Sequence, residues 1–302
     1  MWIIYEITPQ ANENSFFINE FLRIFFSSFL GFGFALLLYY IQQLRDRNKA
    51  KKTKKSDCKN KIKYFYTFIE SVANSTRKQI NSIEKFCETQ NKDLLAIDVP
   101  KIVPSNDFER LKYESIDHFD ALNYLRRSRP ENWISELREL NSCVDFIEAS
   151  FSEILRISDN HSKGCLEKEK SFKSDVEIIP DRLSSLAFYL QQQLAEKRFE
   201  NEDYNFINGM INKYSDLISN SATFEQLNTE FLDPLIITIL ERYKNQPVLQ
   251  EVLFISKRAR LTLTDIKSES QQLIAVLETI KKQLEKHANK LEVLNVKINN
   301  VL

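Results

Sequence analysis

Residues 24–41 read IFFSSFLGFGFALLLYYI, an uncharged run of 18 residues near the start of the chain. At about 1.5 Å rise per residue, a helix of this length, extended by Leu22 and Gln42, covers the ~30 Å hydrocarbon core of a bilayer. An apolar helix of the same length in a soluble fold would normally show polar positions at every turn. The run therefore predicts a single transmembrane helix over residues 22–44.

Charge is distributed unequally on the two sides of this run. Residues 1–44 contain one arginine and three glutamates, whereas residues 45–63 contain ten basic and two acidic residues. Because basic residues are retained on the cytoplasmic side of a membrane, residues 1–21 are predicted to form a short extracytoplasmic tail, and everything after the helix is predicted to be cytoplasmic. The expected location is the inner (plasma) membrane with the N-terminus outside.

A cleaved signal peptide is the alternative interpretation of an apolar run at this position. The region before the run is acidic apart from Arg23, and no small-residue cleavage site follows, because Tyr39 and Tyr40 lead directly into basic residues. Both features differ from a signal peptide. The sequence therefore favours a retained anchor.

The basic juxtamembrane segment, residues 45–63, has a natural partner in the membrane itself. Each Lys or Arg held against an anionic leaflet gains on the order of 1 kcal/mol. We therefore predict membrane lipids as a partner. The predicted headgroup contacts come from Arg45, Arg47, Lys49, Lys51, Lys52, Lys54 and Lys55.

Small residues recur at four-residue spacing inside the apolar run, at Ser27, Gly31 and Ala35. Small side chains let two helix backbones approach closely in lipid, where hydrophobicity alone does not drive association. These three residues are candidates for helix–helix packing in the membrane, and they favour a homo-oligomer.

Composition excludes several kinds of site in the remaining chain. Residues 64–302 hold 31 basic and 37 acidic residues, a mildly acidic balance that disfavours nucleic-acid binding. The chain has four glycines, two of them in the membrane run, and contains neither G-x-G-x-x-G nor G-x-x-x-x-G-K-[ST]. Nucleotide binding by the Rossmann or P-loop route is thereby excluded, and no cofactor is expected.

Cysteine spacing gives no sign of a metal site. Cys58, Cys87, Cys143 and Cys165 form no C-x-x-C pair, and no H-E-x-x-H is present. These residues are expected to be structural thiols in a reducing compartment, and no metal is predicted.

Residues 64–246 are predicted to form a helical cytoplasmic domain, because apolar residues recur at three- and four-residue steps and glycine and proline are scarce. The first helix is expected to continue from the membrane and to be followed by a connector over 94–105. A regular apolar seam then starts near Trp133. Gly164 is expected to break this helix and Pro180 to begin the next, with two further helices over 204–218 and 224–243.

Residues 247–302 are predicted to form one heptad-patterned helix of about fifty residues. A helix of this length must either pack along several others or pair with a second copy of itself. The sequence leaves open whether the seam lies within one chain or between chains. The predicted oligomer or bundle seam consists of Leu273, Leu277, Ile280, Leu284, His287, Leu291, Leu294 and Ile298.

The segment Arg156-Ile157-Ser158-Asp159-Asn160-His161 has an R-x4-H spacing. It resembles the signature of HEPN ribonucleases, a family of all-helical and often dimeric proteins. The resemblance implies that Arg156 and His161 would handle the phosphate and the 2′-hydroxyl of RNA. The other interpretation of these residues is a helix C-terminus, with Arg156 interacting with the helix dipole and His161 in the following loop.

The preferred interpretation is an all-α, non-enzymatic, single-pass membrane protein with a multi-helix cytoplasmic bundle. Its body is expected to oligomerise and to bind an unidentified protein partner, a layout shared by bacterial accessory and antiviral defence proteins, though by analogy alone. A membrane-tethered HEPN-like ribonuclease is the alternative, and a purely structural tether is a third interpretation.

Overall fold

The structure is a computed structural model that describes residues 13–105, 107–111, 120–121, 123–124, 130–243 and 246–300. Within these residues every regular element is helical, and none is a β-strand. The prediction of an all-α fold is therefore confirmed. Most of the predicted short extracytoplasmic tail lies outside the described residues.

The first helix, α1, spans Glu13–Lys92 without interruption, a length of 80 residues. At 1.5 Å per residue it is about 120 Å long. One stretch in its first half is long and apolar enough to cross a membrane, and none of that stretch is buried in the protein. Burial begins at Cys58 and continues along one stripe to Gln90. The expectation that the apolar run and the amphipathic stripe lie on one uninterrupted helix is confirmed.

A connector over residues 93–105 runs back along α1 in irregular conformation. The fully buried Gln79 holds it at two points, because its Oε1 accepts from the Val103 amide at 2.8 Å and its Nε2 donates to the Lys101 carbonyl at 3.3 Å. Gln90 Nε2 donates to the Ala96 carbonyl at 2.7 Å. These side chains supply partners for backbone groups that would otherwise be unpaired beside the core.

The second helix, α2, spans Pro130–Leu194 and passes through both Gly164 and Pro180. The expected break at Gly164 and the expected start at Pro180 are therefore wrong. A helical glycine costs only about 1 kcal/mol relative to alanine, which burial of neighbours such as Cys165 and Phe172 outweighs. Pro180 removes a backbone donor, but fully buried Ile179 and Leu183 hold both sides of it in the core.

The far end of the body consists of shorter elements. A 3₁₀ turn over Ala195–Glu200 leads to α3, Glu202–Ser219, whose N-cap Asn201 accepts from the Tyr204 amide. A short helix α4, Phe224–Gln226, continues through a π-helical turn, Leu227–Leu232, into α5, Asp233–Arg242. The π-helical turn ends two residues before Pro234, whose nitrogen carries no hydrogen to donate and whose ring would clash with the carbonyl four residues earlier in a regular α-helix. The two predicted helices are confirmed, and the second remains helical from Phe224 to Arg242 through this turn.

The last helix, α6, spans Pro247–Asn299 and packs antiparallel to α2 along most of its length. Cross-helix ion pairs show the direction, since residue numbers fall in α6 as they rise in α2. The pairs are Glu136–Lys297, Glu139–Lys290, Lys168–Glu269 and Arg182–Glu251. The prediction of one long final helix is confirmed.

Two hydrophobic cores follow from this arrangement. The proximal core joins the buried half of α1, the first half of α2 and the second half of α6. The distal core joins the second half of α2, the first half of α6 and helices α3 to α5. The body is thus a bundle whose long axis is shared by α2 and α6.

Candidate functional site

The first half of α1 is the most unusual surface of the molecule. From Ile18 to Asp57 all positions except Gln43 are exposed, although residues 24–41 are almost entirely apolar. Exposure of this much contiguous apolar surface marks contact with a membrane or another molecule. This surface, with the basic residues that follow it, is the candidate functional site.

We call residues 22–44, the predicted transmembrane helix, the membrane stretch. It has two different faces. The rings of Phe21, Phe25 and Phe29 stack along one side, with centroids 6.2 and 6.3 Å apart. At 100° per residue, Ser27, Gly31 and Ala35 fall within an arc of about 80°, roughly 120° away from those rings. A Cβ atom added at Gly31 would meet nothing within 4 Å. The predicted small residues therefore share one open face.

The hydroxyl of Ser27 is already used within its own helix. Its Oγ donates to the Ile24 carbonyl at 2.9 Å. Serine in this conformation contributes small size to a helix surface and has its donor satisfied locally. The face formed by Ser27, Gly31 and Ala35 is thus suited to close backbone approach.

We call residues 45–57 the stalk. Every position in it is exposed, and it carries seven basic residues and two acidic ones. Among the described residues, the body touches the second half of the stalk, where Lys54 Nζ lies 5.1 Å from the centre of the Tyr124 ring and Tyr124 Oη donates to the Lys51 carbonyl at 3.5 Å. The seven residues predicted to contact lipid headgroups are all in the stalk.

Arg156 and His161 both lie in the middle of α2. The expectation of a helix end at Arg156 with His161 in a loop is therefore wrong. Residues five apart on a helix are separated by about 140° around the axis. Arg156 is exposed and donates to both carboxylate oxygens of Glu153, at 2.8 and 2.6 Å, which raises its pKa. Within one chain the structure does not bring Arg156 and His161 together.

His161 instead takes part in a polar relay between the two cores. Ser270 Oγ, fully buried on α6, donates to the Leu94 carbonyl at 2.8 Å. Because the Ser270 hydroxyl has a single hydrogen, its Oγ must accept at the 3.2 Å contact with His161 Nε2. The hydrogen-bond network therefore places the proton of the neutral His161 ring on Nε2. His161 Nδ1 is buried without a partner. The relay joins α2, α6 and the connector at one point.

Burial keeps this relay uncharged. It lowers the pKa of His161 and raises the pKa of the Cys165 thiol, whose Sγ lies 3.3 Å from His161 Nε2. A neutral imidazole beside a protonated thiol lacks the thiolate that cysteine nucleophiles require. The geometry of His161 and Cys165 is that of a buried structural contact between helices, not that of a catalytic pair.

The predicted seam on α6 lies inside the chain. Leu277, Leu284 and Leu291 are fully buried in the proximal core. His287 Nδ1 lies 3.4 Å from Cys143 Sγ on α2, and the His287 ring stacks on Phe146 at 4.2 Å. The question that the sequence left open is answered, because the heptad pattern is used against α1 and α2 of the same chain. Leu273, Leu294 and Ile298 are buried there too, and Ile280 packs against the same core.

All four cysteines are free and buried. Burial raises the pKa of Cys87 to about 11 and raises the pKa of Cys143. In the part of the chain that the structure describes, histidine, cysteine and carboxylate side chains form no group of three that could hold a metal ion.

Sequence reasoning missed several buried polar contacts. Asp175, which is almost fully buried, receives two hydrogen bonds from Arg258. In the sequence Asp175 belongs to a run of charged residues over 167–175, and nothing in that run marks one carboxylate as buried. Gln79 and Ser270 fall on the apolar stripes of their helices, so their spacing is consistent with burial, but nothing in the sequence identifies their hydrogen-bond partners.

No model of a known protein family, no curated protein and no solved structure matches this chain. A functional interpretation therefore depends on the geometry of its own residues. The surfaces with the clearest physical meaning are the membrane stretch and the stalk.

Proposed function

We propose that the protein is a single-pass membrane protein whose helical cytoplasmic body self-associates through its anchor and binds a protein partner. One observation supports this most strongly, namely that α1 continues unbroken from an exposed apolar stretch, through the stalk, into the proximal core. The anchor and the body are thus parts of one helix. A displacement or pairing of the anchor would be transmitted to the body without an intervening flexible linker.

The small-residue face supports self-association in the membrane. Ser27, Gly31 and Ala35 present an open surface of the kind at which two helix backbones approach closely. The heptad seam of α6 gives no such support, because it is buried within the chain. The proposed homo-oligomer therefore depends on the anchor.

Partner binding is proposed for the distal end of the body. Large apolar side chains stay exposed there, including Phe188 at 61%, Phe199 at 65% and Phe254 at 64%. Aromatic side chains are enriched at protein interfaces, where they supply much of the binding energy. Photo-crosslinking amino acids at Phe188 and Phe199 should give adducts of discrete mass in cells, whereas the same group at exposed Lys163 should not. Absence of adducts at both aromatic positions would contradict this assignment.

The proposed topology has a direct test. A reporter that is active only outside the cytoplasm should stay silent when fused after Leu302. The same reporter placed before the apolar run should be active, because the basic residues follow the run. The reverse pattern would contradict the orientation.

The proposal of a non-enzymatic protein is tested at Arg156. This side chain is exposed and pairs only locally with Glu153, so Arg156→Ala should leave the fold and the cellular activity unchanged. A ribonuclease of the HEPN type would lose RNA cleavage with the same change. RNA cleavage by the purified chain that disappears in Arg156→Ala would establish the alternative.

A further inference from the structure

The stalk is a helix with few stabilising contacts, since among the described residues the body reaches it through Tyr124, at Lys51 and Lys54. Most helices in proteins are stabilised by packing of one face, yet residues 45–57 are exposed at every position. Pairs of like charge at three- or four-residue spacing also destabilise a helix. The stalk contains six such pairs, against two pairs of opposite charge, Asp46–Lys49 and Lys54–Asp57. Its helical stability is therefore sensitive to counter-charge supplied from outside.

For a helix that leaves the bilayer along its normal, the membrane supplies this counter-charge most strongly to the first part of the stalk. Measured from Ile41 at 1.5 Å per residue, Arg45 lies about 6 Å and Lys52 about 16 Å beyond the apolar stretch. The headgroup layer is roughly 5–8 Å thick and the Debye length is about 8 Å. Arg45, Arg47 and Lys49 are therefore within reach of anionic headgroups, and Lys59 to Lys63 are not.

We infer that anionic phospholipid headgroups bind Arg45, Arg47 and Lys49 and thereby hold the stalk in a rigid helix, so that membrane charge controls how firmly the anchor is coupled to the body. The partner follows from charge complementarity and from the position of these residues directly after the membrane stretch. On a neutral membrane, repulsion along the stalk frays the helix between Leu44 and Cys58. This inference rests on the proposed membrane anchoring.

Pulsed electron paramagnetic resonance on the full chain in vesicles tests this inference. Spin-labelled amino acids are introduced at exposed Leu44 and Asn60 by genetic encoding, so that the native cysteines are kept. In vesicles with about a third phosphatidylserine we expect a narrow distance distribution near 24 Å, the helical value for 16 residues. In phosphatidylcholine vesicles we expect a distribution at least about twofold broader.

Two matched variants separate the lipid contact from general charge. Arg45→Gln, Arg47→Gln and Lys49→Gln together should give the same distribution in both kinds of vesicle. The control variant loses the same number of charges farther from the membrane, through Lys59→Gln, Lys61→Gln and Lys63→Gln. In this variant the width of the distance distribution should still depend on phosphatidylserine. Millimolar inorganic phosphate added to phosphatidylcholine vesicles should leave the distribution broad.

Four results would overturn the inference. The first is a distance distribution of equal width in both kinds of vesicle for the unaltered chain. The second is a width that still depends on phosphatidylserine in the variant altered at Arg45, Arg47 and Lys49, and the third is a width that no longer depends on it in the variant altered at Lys59, Lys61 and Lys63. The fourth is a distribution that inorganic phosphate alone makes narrow. The accessibility of the Leu44 label to a lipid-soluble relaxant shows separately whether the chain is inserted. A chain that is not inserted contradicts the proposed function as a whole, whereas an inserted chain with equal widths contradicts only the inference about the stalk.

Discussion

The two halves of α1 are one continuous helix, but they satisfy different physical conditions. From Ile18 to Asp57 almost every position is exposed, first apolar and then basic. From Cys58 to Gln90 buried residues such as Ile62, Ile69 and Ile83 recur on one stripe that faces α2 and α6. The second half is stabilised by protein contacts, whereas the first half presents an apolar and then a basic surface that the described part of the body leaves largely uncovered.

This difference shows that helix continuity and helix environment are separate properties. No glycine or proline occurs between Gly33 and Pro100, so nothing in the backbone interrupts the helix where its surroundings change. The side chains alone mark the change, from apolar to basic to amphipathic. Substitutions that introduce one charge into each half should therefore have separable effects.

The largest effect is expected in the buried half. Ile69→Asp places a carboxylate at a fully buried position of the proximal core and should cost more than about 3 kcal/mol. The body should become sensitive to limited proteolysis in detergent, while the chain stays in the membrane fraction. Thr67→Asp, at an exposed position two residues away, should behave like the unaltered chain. A body that resists proteolysis in Ile69→Asp would contradict the packing of α1 into this core.

A charge in the exposed half of α1 should weaken membrane association and leave the folded body intact. Leu37→Asp places a carboxylate inside the apolar stretch, where insertion costs about 2.5–3.5 kcal/mol. Extraction at alkaline pH should release part of the chain from membranes, whereas proteolysis of the body should be unchanged. Leu44→Asp, beyond the apolar run, serves as the control and should remain membrane-bound. Loss of body structure in Leu37→Asp would show that the two halves are not independent.

A change of size within the membrane stretch should have a smaller effect. Gly31→Ile adds bulk to the face shared by Ser27 and Ala35 and should weaken self-association at least about tenfold. Gly33→Ile adds the same bulk about 160° away around the axis and should not. Energy transfer between labelled chains in vesicles measures both. Equal responses of the two variants would contradict the assignment of this face.

The smallest expected effect concerns the pH dependence of the body. Burial lowers the pKa of His161, so the unfolded state binds a proton below about pH 6.5 that the native state does not bind. The contribution of neutral His161 to the free energy of unfolding is therefore fully present above that pH and is lost as the pH falls through the lowered pKa of His161 in the native state. His161→Gln should reduce the fall in thermal midpoint between about pH 7 and pH 5.5. Part of the fall should remain, because burial also lowers the pKa of His287.

Long-range periodicity made much of this fold predictable. The apolar run, the stripe on α1 and the heptads of α6 each extend over several turns, so single residues did not decide them. Gly164 and Pro180 were interpreted by local propensity, which packing along the full length of α2 overrides. The heptad pattern also could not distinguish packing within a chain from packing between chains, because both bury the same face.

The buried hydrogen bonds between helices could not be predicted from the sequence, for a different reason. His161, Ser270 and the Leu94 carbonyl are far apart in the chain and meet only because α2 and α6 run antiparallel with one particular register. An R-x4-H spacing within one helix says nothing about that register. The apolar and basic surfaces of α1 were predictable because each depends on neighbouring residues of a single helix.

The central position of α6 has a consequence for biosynthesis. This helix contributes to both cores, yet it follows every other described helix in the chain. While the ribosome is still completing residues 247–300, α1 and α2 have already emerged with apolar stripes that have no partner, a condition that favours aggregation and chaperone binding. A nonsense mutation before Pro247 would therefore leave a chain that lacks one side of both cores and exposes the apolar stripes of α1 and α2 to cellular quality control.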